Sequence, residues 1–519
     1  MALNPLKLDL PSMSAVVAER QRAETAAKYE RQLVESAREL AQARRVARTY
    51  AAASVSRFTN SWPITQATWQ AELYRSLRAL RTRSRDMSQN NPHMKRFLGM
   101  VRRNVVGPAG IKLQVRAKRG DELDELLNKE VEDKFAEWSL PEHCSASGKY
   151  SWTLALALAI GTMARDGEFL CRLIDADNPF GFALKFYDVA YLDETYNEVL
   201  KSGNRVIMSV EVDSYDRPVA YYFTTPRYDV GPYATPPMQR VRIPAEQVIH
   251  CYLPLEDDAQ VRGVPWAHAA MYELHILGQY KEAELINAHI SACKMGFVVP
   301  PDNDETAGIP EEEEDGRPQI SDRAEPGLMQ ELPPGYDFKT FNPEHPSANF
   351  DPFTSSVLRG AACGLDVSYF ALAGDLTAVN YSSARVGLLD DRDNYRGLQN
   401  YLIDHFVRPV YRAWLKRAIL TGAVNILPSD YERLKSPDFQ PRGWPWVDPL
   451  KDIAAAGEAI DRGLATRSAF IAEQGGDFED TIRRLSEEQD YMDKHKVVVK
   501  KGDLAPLAAI AAASDKERP

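Results

Sequence analysis

Residues 264–293 read VPWAHAAMYELHILGQYKEAELINAHISAC, a run with no proline after Pro265 and a single glycine, Gly278. A helix rises about 1.5 Å per residue, so roughly 30 residues would form a rod about 45 Å long. The next prolines, Pro300 and Pro301, cannot continue a helix because they lack the backbone donor. We therefore predict one long helix that ends before these prolines and around which the rest of the chain is arranged.

The apolar residues of this helix lie on two sides. Tyr272, Ile276 and Tyr280 fall on one side, and Leu274 and Leu277 fall on another. A helix that is apolar on two sides needs two packing partners. The pattern fits either a long core helix of a large domain or a strut shared between subunits. In the second interpretation these five residues are candidate intersubunit contacts.

Composition indicates a globular protein that does not grip nucleic acid over its whole surface. The chain has 519 residues, of which 44% are hydrophobic, enough for two to four domains with substantial cores. The formal net charge is -11, whereas phosphate binding needs concentrated Lys and Arg. Any contact with DNA is therefore expected to be local or weak.

The cysteines and the hydropathy pattern indicate a protein made in a reducing cytoplasm, with no membrane partner. The five cysteines are scattered and include no CxxC pair, which disfavours a disulfide framework or a structural zinc site. No run of about 18 apolar residues occurs, and residues 1–20 lack the apolar stretch of a signal peptide.

The order of patterns along the chain predicts an α+β fold. Helical runs at 16–56 and 69–103 precede strand-like runs at 168–175, 182–193, 205–213 and 218–225. Residues 300–346, after the rod, are rich in proline and contain the acidic run 311–315, which is typical of a solvated loop with short strands.

A second helix is predicted to run back along the rod. Asp351 and Pro352 form a helix start, with an acceptor before a proline at the first helical position. Residues 377–383 then break the pattern, and a further long helix is expected at 384–420 with a kink at Pro409.

Catalytic motifs are missing from the sequence, so we expect no enzyme and no cofactor. The chain has no GxxxxGK[ST], HExxH or GxSxG. Asp390, Asp391 and Asp393 suggest a metal cluster, but neighbouring helical positions point about 100° apart, and Arg392 offers an ion-pair partner. A charged solvated face is the preferred interpretation, and a metal-dependent DNA-processing enzyme is the alternative.

Six phrases stand out along the chain. They are RSRDMSQNNPHMKRFLGMVRRNVVGPAGIKLQ (83–114), DGEFLCRL (166–173), IPAEQVIHCY (243–252), RGVPWAHAAM (262–271), GLDVSYFALAGDLTAVNYSSARVGLLDDRD (364–393) and WPWVDPLKD (444–452). Taken in this order, they resemble the lambda-type portal proteins of tailed bacteriophages. The resemblance covers roughly residues 60–495, and it is the joint order of the phrases that is specific.

The resemblance implies a portal-type subunit with an α/β wing, a long helical stem, a small clip and a C-terminal helical crown. The corresponding ranges are an N-terminal helical arm at 1–60, the wing at 61–262, stem helix one at 263–298, the clip at 299–346, stem helix two at 347–376, a channel loop and wing helix at 377–440, and the crown and tail at 441–519.

The resemblance also implies partners and a place in the virion. It implies a ring, usually of twelve subunits, at one capsid vertex, assembled in the host cytoplasm, through which double-stranded DNA is packaged and ejected. The terminase large subunit, the major capsid protein, the scaffold and a head-completion or tail adaptor are the expected protein partners.

The break before the 384–420 helix falls where portals carry a channel-facing loop. The candidate DNA-channel residues are Asn380, Tyr381, Ser382, Ser383 and Arg385. The same polar residues fit a loop that only caps a helix, and the sequence leaves both interpretations open. A cytoplasmic helical scaffold without DNA is a third possibility, suggested by the charged N-terminal helix.

Overall fold

The computed structural model describes isolated positions between residues 17 and 35, and then residues 68–120, 122–224, 239–254, 257–292, 296–299, 337–340, 350–377, 380–444, 449–474 and 476–494. The chain divides into two units, Met1–Ala67 and Thr68–Pro519. The described positions of the first unit are helical. Most of the predicted arm at 1–60 and nearly all of the predicted clip at 299–346 lie outside the described residues.

Helices form much of the second unit. In chain order they are α1 (Trp69–Asn90), α2 (Pro92–Val105), α3 (Glu125–Trp138), α4 (Pro141–Cys144), α5 (Trp152–Asp166), α6 (Met271–Ala292), α7 (Phe350–Gly364), α8 (Tyr369–Ala373), α9 (Tyr381–Leu402), α10 (Arg408–Thr421), α11 (Tyr431–Leu434), α12 (Pro449–Asp461), α13 (Arg467–Glu473) and α14 (Phe478–Lys494).

The strands form small antiparallel sheets, which makes the fold a mixed α+β one, as predicted. In chain order they are β1 (Lys112–Gln114), β2 (Lys118–Arg119), β3 (Glu122–Leu123), β4 (Glu168–Ile174), β5 (Ala183–Tyr187), β6 (Glu198–Val199), β7 (Arg205–Ile207), β8 (Val210–Val212), β9 (Pro218–Thr224), β10 (Arg240–Pro244), β11 (Val248–Tyr252), β12 (Gly296–Val299), β13 (Asp337–Thr340) and β14 (Asp438–Gln440).

Two of the sheets lie in the part of the chain before α6. One has five strands in the order β10-β9-β8-β7-β6, and the other has three in the order β11-β4-β5. The described strands also form three two-stranded sheets, β1-β14, β2-β3 and β12-β13. The β12-β13 pair brackets the proline-rich segment, because its register matches Gly296 with Thr340.

Residues 205–213, predicted as a single strand, form a tight hairpin. Met208 and Ser209 have φ angles of 47° and 69°, and they separate β7 from β8, which pair through Ile207 and Val210. Two successive residues at positive φ are what a type I′ turn requires. Asn and Gly usually occupy such turns, and because neither occurs here the sequence pattern missed this one.

The described core consists of two hydrophobic clusters. The larger surrounds α2, α5, α10 and the start of α6, and it contains aromatic stacks such as Trp138 on Phe182 and Trp152 on Phe406 at centroid separations of 5.6 and 5.5 Å. The smaller lies between α1 and the five-stranded sheet. The chain therefore presents two cores that meet around β4.

The long helix predicted at residues 264–293 begins later in the chain than expected. The helix α6 has 22 residues and begins at Met271, so it spans about 33 Å rather than 45 Å. Residues 264–270 form turns, in which Trp266 N–H donates to the Ala164 carbonyl at 3.1 Å. This tie to the end of α5 holds the segment out of helical conformation.

The returning helix α7 runs antiparallel to α6, as predicted. A Cβ on Gly364 would lie 3.4 Å from the Ala270 Cβ, and one on Gly360 would lie 2.8 Å from a Glu273 carboxylate oxygen. Near the other end of α6, Tyr280 packs on Phe350 at 5.7 Å and on Phe353 at 5.1 Å. Asp351 lies inside the first turn of α7 and is therefore not its N-cap. We call the pair α6 and α7 the helical hairpin.

The kink expected at Pro409 is a π-helical segment. Ile403–Val407 adopt the wider turn between α9 and α10, and Pro409 follows in the first turn of α10. Proline cannot donate a hydrogen bond to the preceding turn and its ring crowds that turn, so a wider turn accommodates it. The helix therefore continues past Pro409 without a break.

Gly167 lies against the backbone of the segment that leads into the hairpin. Its φ is +89°, and an added Cβ would lie 2.4 Å from the Val264 carbonyl carbon. Gly203 has nearly the same φ, +90°, but a Cβ there would meet nothing within 4 Å. Gly203→Ala should therefore cost about 1–2 kcal/mol for backbone strain alone. Gly167→Ala should cost about 1–3 kcal/mol more for overpacking.

Urea unfolding of the two glycine variants and the wild type, at one protein concentration, measures the difference. Equal losses in Gly167→Ala and Gly203→Ala would show that the contact with Val264 relaxes without cost.

Candidate functional site

The helical hairpin presents one apolar side to the core and another to solvent. Leu274 and Leu277 are 1% and 2% exposed, and both belong to the larger core cluster. Tyr272 and Ile276 are 74% and 44% exposed. Of the two apolar sides seen in the sequence, one therefore faces the core and the other faces solvent.

The structure corrects the list of candidate intersubunit residues. Leu274 and Leu277 are already packed inside their own subunit, so they stabilise the subunit and cannot contact another one. Tyr280 is half-buried against the returning helix through Phe350 and Phe353. Tyr272 and Ile276 remain available.

An open groove runs between the two helices of the hairpin. Its volume is about 410 Å³, and its lining comprises Tyr272, Glu273, Ile276, Ser356, Val357 and Gly360. On the same side, Ile286 and Phe353 extend the exposed apolar surface of the hairpin, at 53% and 50% exposure. Singly exposed apolar residues are ordinary, but a row of them beside a groove is typical of an interaction surface.

The candidate channel loop caps α9. Asn380 is the N-cap, and its side-chain oxygen accepts from the Ser383 backbone N–H at 2.8 Å. The Ser383 hydroxyl donates to the Asn380 carbonyl at 3.1 Å, and Ser382 is exposed. Arg385 forms an ion pair with Asp452 at 3.0 Å. The side chain of Tyr381 lies outside the described residues. Helix capping thus accounts for Asn380 and Ser383, two of the five candidate channel residues.

The aspartate triplet does not form a metal site. Asp391 accepts from the backbone N–H and hydroxyl of Ser368 at 2.8 and 2.6 Å, which ties α9 to the residue that precedes α8. Asp393 pairs with Arg396 at 2.9 Å, and Asp390 is exposed. Among the described residues no group of His, Cys, Asp and Glu side chains could hold a metal ion. The metal-dependent interpretation is therefore unsupported.

A buried charge network, which the sequence patterns did not identify, lies at the base of the hairpin. Glu168, at the start of β4, is fully buried. Its Oε1 accepts from Arg81 Nη2 at 2.8 Å and from Arg262 Nη2 at 2.6 Å. Its Oε2 accepts from the Gly263 N–H at 3.0 Å and lies 3.0 Å from His250 Nε2. One carboxylate therefore joins four distant parts of the chain.

Arg262 carries the network into the smaller core. It is 0% exposed, and its Nη1 donates to the Met208 carbonyl at 2.8 Å, next to the β7-β8 turn. Burial alone would raise the pKa of Glu168, but Arg262, Arg81 and His250 outweigh it and hold that pKa well below its usual value. Glu168 lies in the phrase DGEFLCRL and Arg262 in the phrase RGVPWAHAAM. In each phrase the charged residue stands next to a glycine, which was the signal available from the sequence.

His250 makes the stability of this region depend on pH. Burial lowers its pKa, although the hydrogen bond to Glu168 acts in the opposite direction. The unfolded chain therefore binds this proton more readily than the folded chain, and stability should fall as the pH drops below about 6.5. The contribution to the slope is at most about 1.4 kcal/mol per pH unit.

The urea midpoint between pH 7.5 and pH 5, compared for wild type and His250→Gln, measures this contribution. The variant should show the shallower dependence, whereas His275→Gln, at an exposed position of α6, should retain the wild-type slope. A His250→Gln profile parallel to that of the wild type would contradict the assignment.

None of the helices in the described part of the chain combines the length and apolar character that a bilayer-crossing segment needs.

Comparison with known proteins identifies the family. Residues 55–399 match the family model described as "Phage portal protein, lambda family". The "Probable portal protein" of Halomonas phage phiHAP-1 is 35% identical over 453 residues, which cover 85% of this chain and 86% of that protein. "Portal protein B" of Escherichia phage lambda is 21% identical over 437 residues, or 77% and 81% of the two chains.

Solved structures show a weaker likeness. A chain in the structure titled "Neck of empty GTA particle computed with C6 symmetry" aligns with a TM-score of 0.43 at 15% identity, covering 78% of this chain and 94% of its own. A chain in "Neck of native GTA particle computed with C12 symmetry" aligns with a TM-score of 0.36 at 13% identity, covering 80% and 95%.

The described fold is an α+β subunit with a helical hairpin that exposes one apolar side. The chain belongs to the lambda family of phage portal proteins. These are structural components of the virion and are not enzymes.

Proposed function

We propose that this chain assembles into a closed ring, of twelve copies, that forms the passage for double-stranded DNA at one vertex of the capsid. The observation that carries the proposal is the exposed apolar side of the helical hairpin. Tyr272 and Ile276 lie beside an open groove, while the opposite side of α6 is buried in the core. A second copy that packs here would remove these side chains from water.

Under this proposal the parts of the chain take the roles expected for a portal subunit. The two larger sheets with α1–α5 form the wing, the helical hairpin forms the stem, and the β12-β13 pair forms the base of the clip. The helices α12, α13 and α14 form the crown. The ring thus has a wall of hairpins, each packed on its own core and on its neighbour.

The candidate channel loop lies at the N-terminal end of α9. Ser382 is exposed there, whereas Asn380 and Ser383 contribute to the cap. Polar groups that are already hydrogen-bonded suit transient contact with sliding DNA, because each neutralised phosphate would add salt-dependent affinity. We propose that this loop faces the DNA without holding it tightly.

The proposed partners follow from the position of such a ring. The clip would dock the terminase large subunit during packaging and the head-completion or tail adaptor afterwards. The outer part of the wing would meet the major capsid protein and the scaffold, so that the ring nucleates capsid assembly in the host cytoplasm.

Negative-stain microscopy of the purified full-length protein tests the ring. Closed rings with a central hole are expected, and their rotational symmetry gives the number of subunits. Monomers or dimers at high protein concentration would overturn the proposal. Packaging of DNA into capsids assembled with and without the protein then tests the role as a passage.

A further inference from the structure

Four arginines and Trp444 lie close together where α2, α9 and the segment after β14 meet. Arg392 and Arg396 lie one turn apart on α9, and their guanidinium carbons lie 5.9 and 5.7 Å from the centroid of the Trp444 ring. Arg103, in the last turn of α2, and Arg442, whose Nη1 donates to the Arg103 backbone carbonyl, complete the set. We call these four arginines and Trp444 the arginine–tryptophan patch.

Hydrogen bonds to Asn104 and Gln399 hold Arg442 and Trp444 of the patch in place. Asn104 accepts from Trp444 Nε1 and from Arg442 Nη1, both at 3.3 Å. The buried Gln399 side chain donates to the Arg442 carbonyl at 3.0 Å. Gly107 has a φ of +72°, and an added Cβ would lie 2.7 Å from Arg442 Cδ. The absent side chain at Gly107 therefore leaves room for the Arg442 stem, so the guanidinium is positioned before any ligand arrives.

The positive charges of the patch lie close enough to repel one another. Burial lowers the pKa of Arg392, and the charges of Arg396 and Arg442 lower it further, while Asp452 opposes them. Burial and the charge of Arg103 likewise lower the pKa of Arg442. A cluster of like charges destabilises the protein that carries it, and an anionic ligand would relieve that repulsion.

Nearby carboxylates compensate for the patch only in part. Asp393 pairs with Arg396 at 2.9 Å, but the two side chains are 74% and 52% exposed, and such surface pairs contribute little. Asp452 lies near Arg392 and also forms the ion pair with Arg385. Among the described residues these two carboxylates are outnumbered by the four arginines, in a chain whose net charge is -11.

We propose that the arginine–tryptophan patch binds the phosphate backbone of double-stranded DNA, a step that rests on the proposed function of the ring. Guanidinium groups match phosphate oxygens in a bidentate geometry and form strong charge-assisted hydrogen bonds. The patch would then be a local DNA-holding surface, separate from the capped loop at the start of α9.

Phosphates fit the patch better than the acidic face of a protein helix. A duplex presents one charge per about 1.7 Å of its axis. Acidic residues on one helix face recur only about every 5–6 Å. Four closely spaced arginines therefore match a duplex better than the acidic face of a neighbouring subunit.

Binding of a fluorescein-labelled 30-base-pair duplex to the full-length protein tests the proposal. Fluorescence anisotropy between 50 and 200 mM NaCl gives the dependence of affinity on salt. The variant Arg103→Gln/Arg396→Gln removes two exposed members of the patch. Because each engaged subunit would then neutralise two fewer phosphates, the slope of log affinity against log salt should become shallower by about 1.8 for each engaged subunit. With affinity at 1 M salt unchanged, affinity at 0.1 M should fall roughly 60-fold for each engaged subunit.

Arg75→Gln/Arg83→Gln is the matched control, because it removes the same charge from exposed positions of α1. Its slope should remain close to that of the wild type. Equal losses in both variants, or no duplex binding by the wild type at 50 mM NaCl, would overturn the proposal. So would a patch variant that loses rings in negative stain but keeps its DNA affinity, since the patch would then bind a neighbouring subunit. If Arg103→Gln/Arg396→Gln forms intact rings and keeps the wild-type salt slope, the proposal that the patch binds DNA is wrong, while the proposal of the ring still stands.

Discussion

Glu168→Gln should lower the free energy of unfolding by about 3–5 kcal/mol, the effect of breaking a buried ion pair by removing one partner. The substitution leaves Arg262, which is 0% exposed, without its carboxylate partner, while Arg81, which is 5% exposed, keeps only the longer contact with Glu194 at 3.6 Å. The size of the side chain is nearly unchanged, so the loss reports charge and hydrogen bonding rather than packing. Urea unfolding followed by circular dichroism measures it.

Two further variants separate this effect from general loss of charge. Glu479→Gln breaks the surface pair with Arg116, whose side chains are 48% and 42% exposed, and should cost less than about 1 kcal/mol. Replacing Arg81, Glu168 and Arg262 together by Met should recover much of the loss, because no uncompensated charge remains buried. A Glu168→Gln variant as stable as the Glu479→Gln control would show that the two arginines find other partners.

Leu277→Asp should unfold the subunit, whereas Tyr272→Asp should leave the subunit folded and weaken the ring. Leu277 is buried in the larger core, where truncation of a leucine to Ala already costs about 2–5 kcal/mol and a buried carboxylate adds to that. Tyr272 is 74% exposed, so its substitution should change subunit stability by no more than about 0.5 kcal/mol.

The two hairpin variants are measured in the same way. Circular dichroism during urea unfolding reports the subunit, and the fraction of particles that are rings in negative stain reports assembly. Gln279→Asp, at an exposed polar position of α6, is a control for added charge on this helix. If Tyr272→Asp forms as many rings as the wild type, the exposed side of the hairpin is not the interface between subunits.

The helical hairpin was largely predictable because its signals are local. An uninterrupted run of helix-forming residues and the pair Asp351–Pro352 predicted two helices, and the short path between them predicted an antiparallel pair. The start of α6 was not predictable, because Trp266 is held by the Ala164 carbonyl, about a hundred residues earlier in the chain. Tertiary contacts of this kind leave no trace in helical periodicity.

The same limit explains which candidate site residues the sequence could identify. Periodicity placed Tyr272 and Leu277 on different sides of α6 but could not tell which side faces the core. Glu168 carried only the weak signal of a charge beside a glycine, which could not identify its partners Arg81 and Arg262, because they lie 87 and 94 residues away in the chain. Asn380 was recognisable as a cap or as a channel residue, and the geometry accounts for the first role.

The Glu168 network has a consequence for how sequences of this fold can diverge. Arg81, Glu168 and Arg262 are far apart in the chain, and the single Glu168 carboxylate balances both buried guanidinium groups. Loss of Glu168 leaves two buried positive charges behind, whereas loss of either arginine leaves the carboxylate paired with the other one. A lineage can therefore leave this arrangement more easily by losing an arginine first, and Glu168 should be the last of the three positions to change.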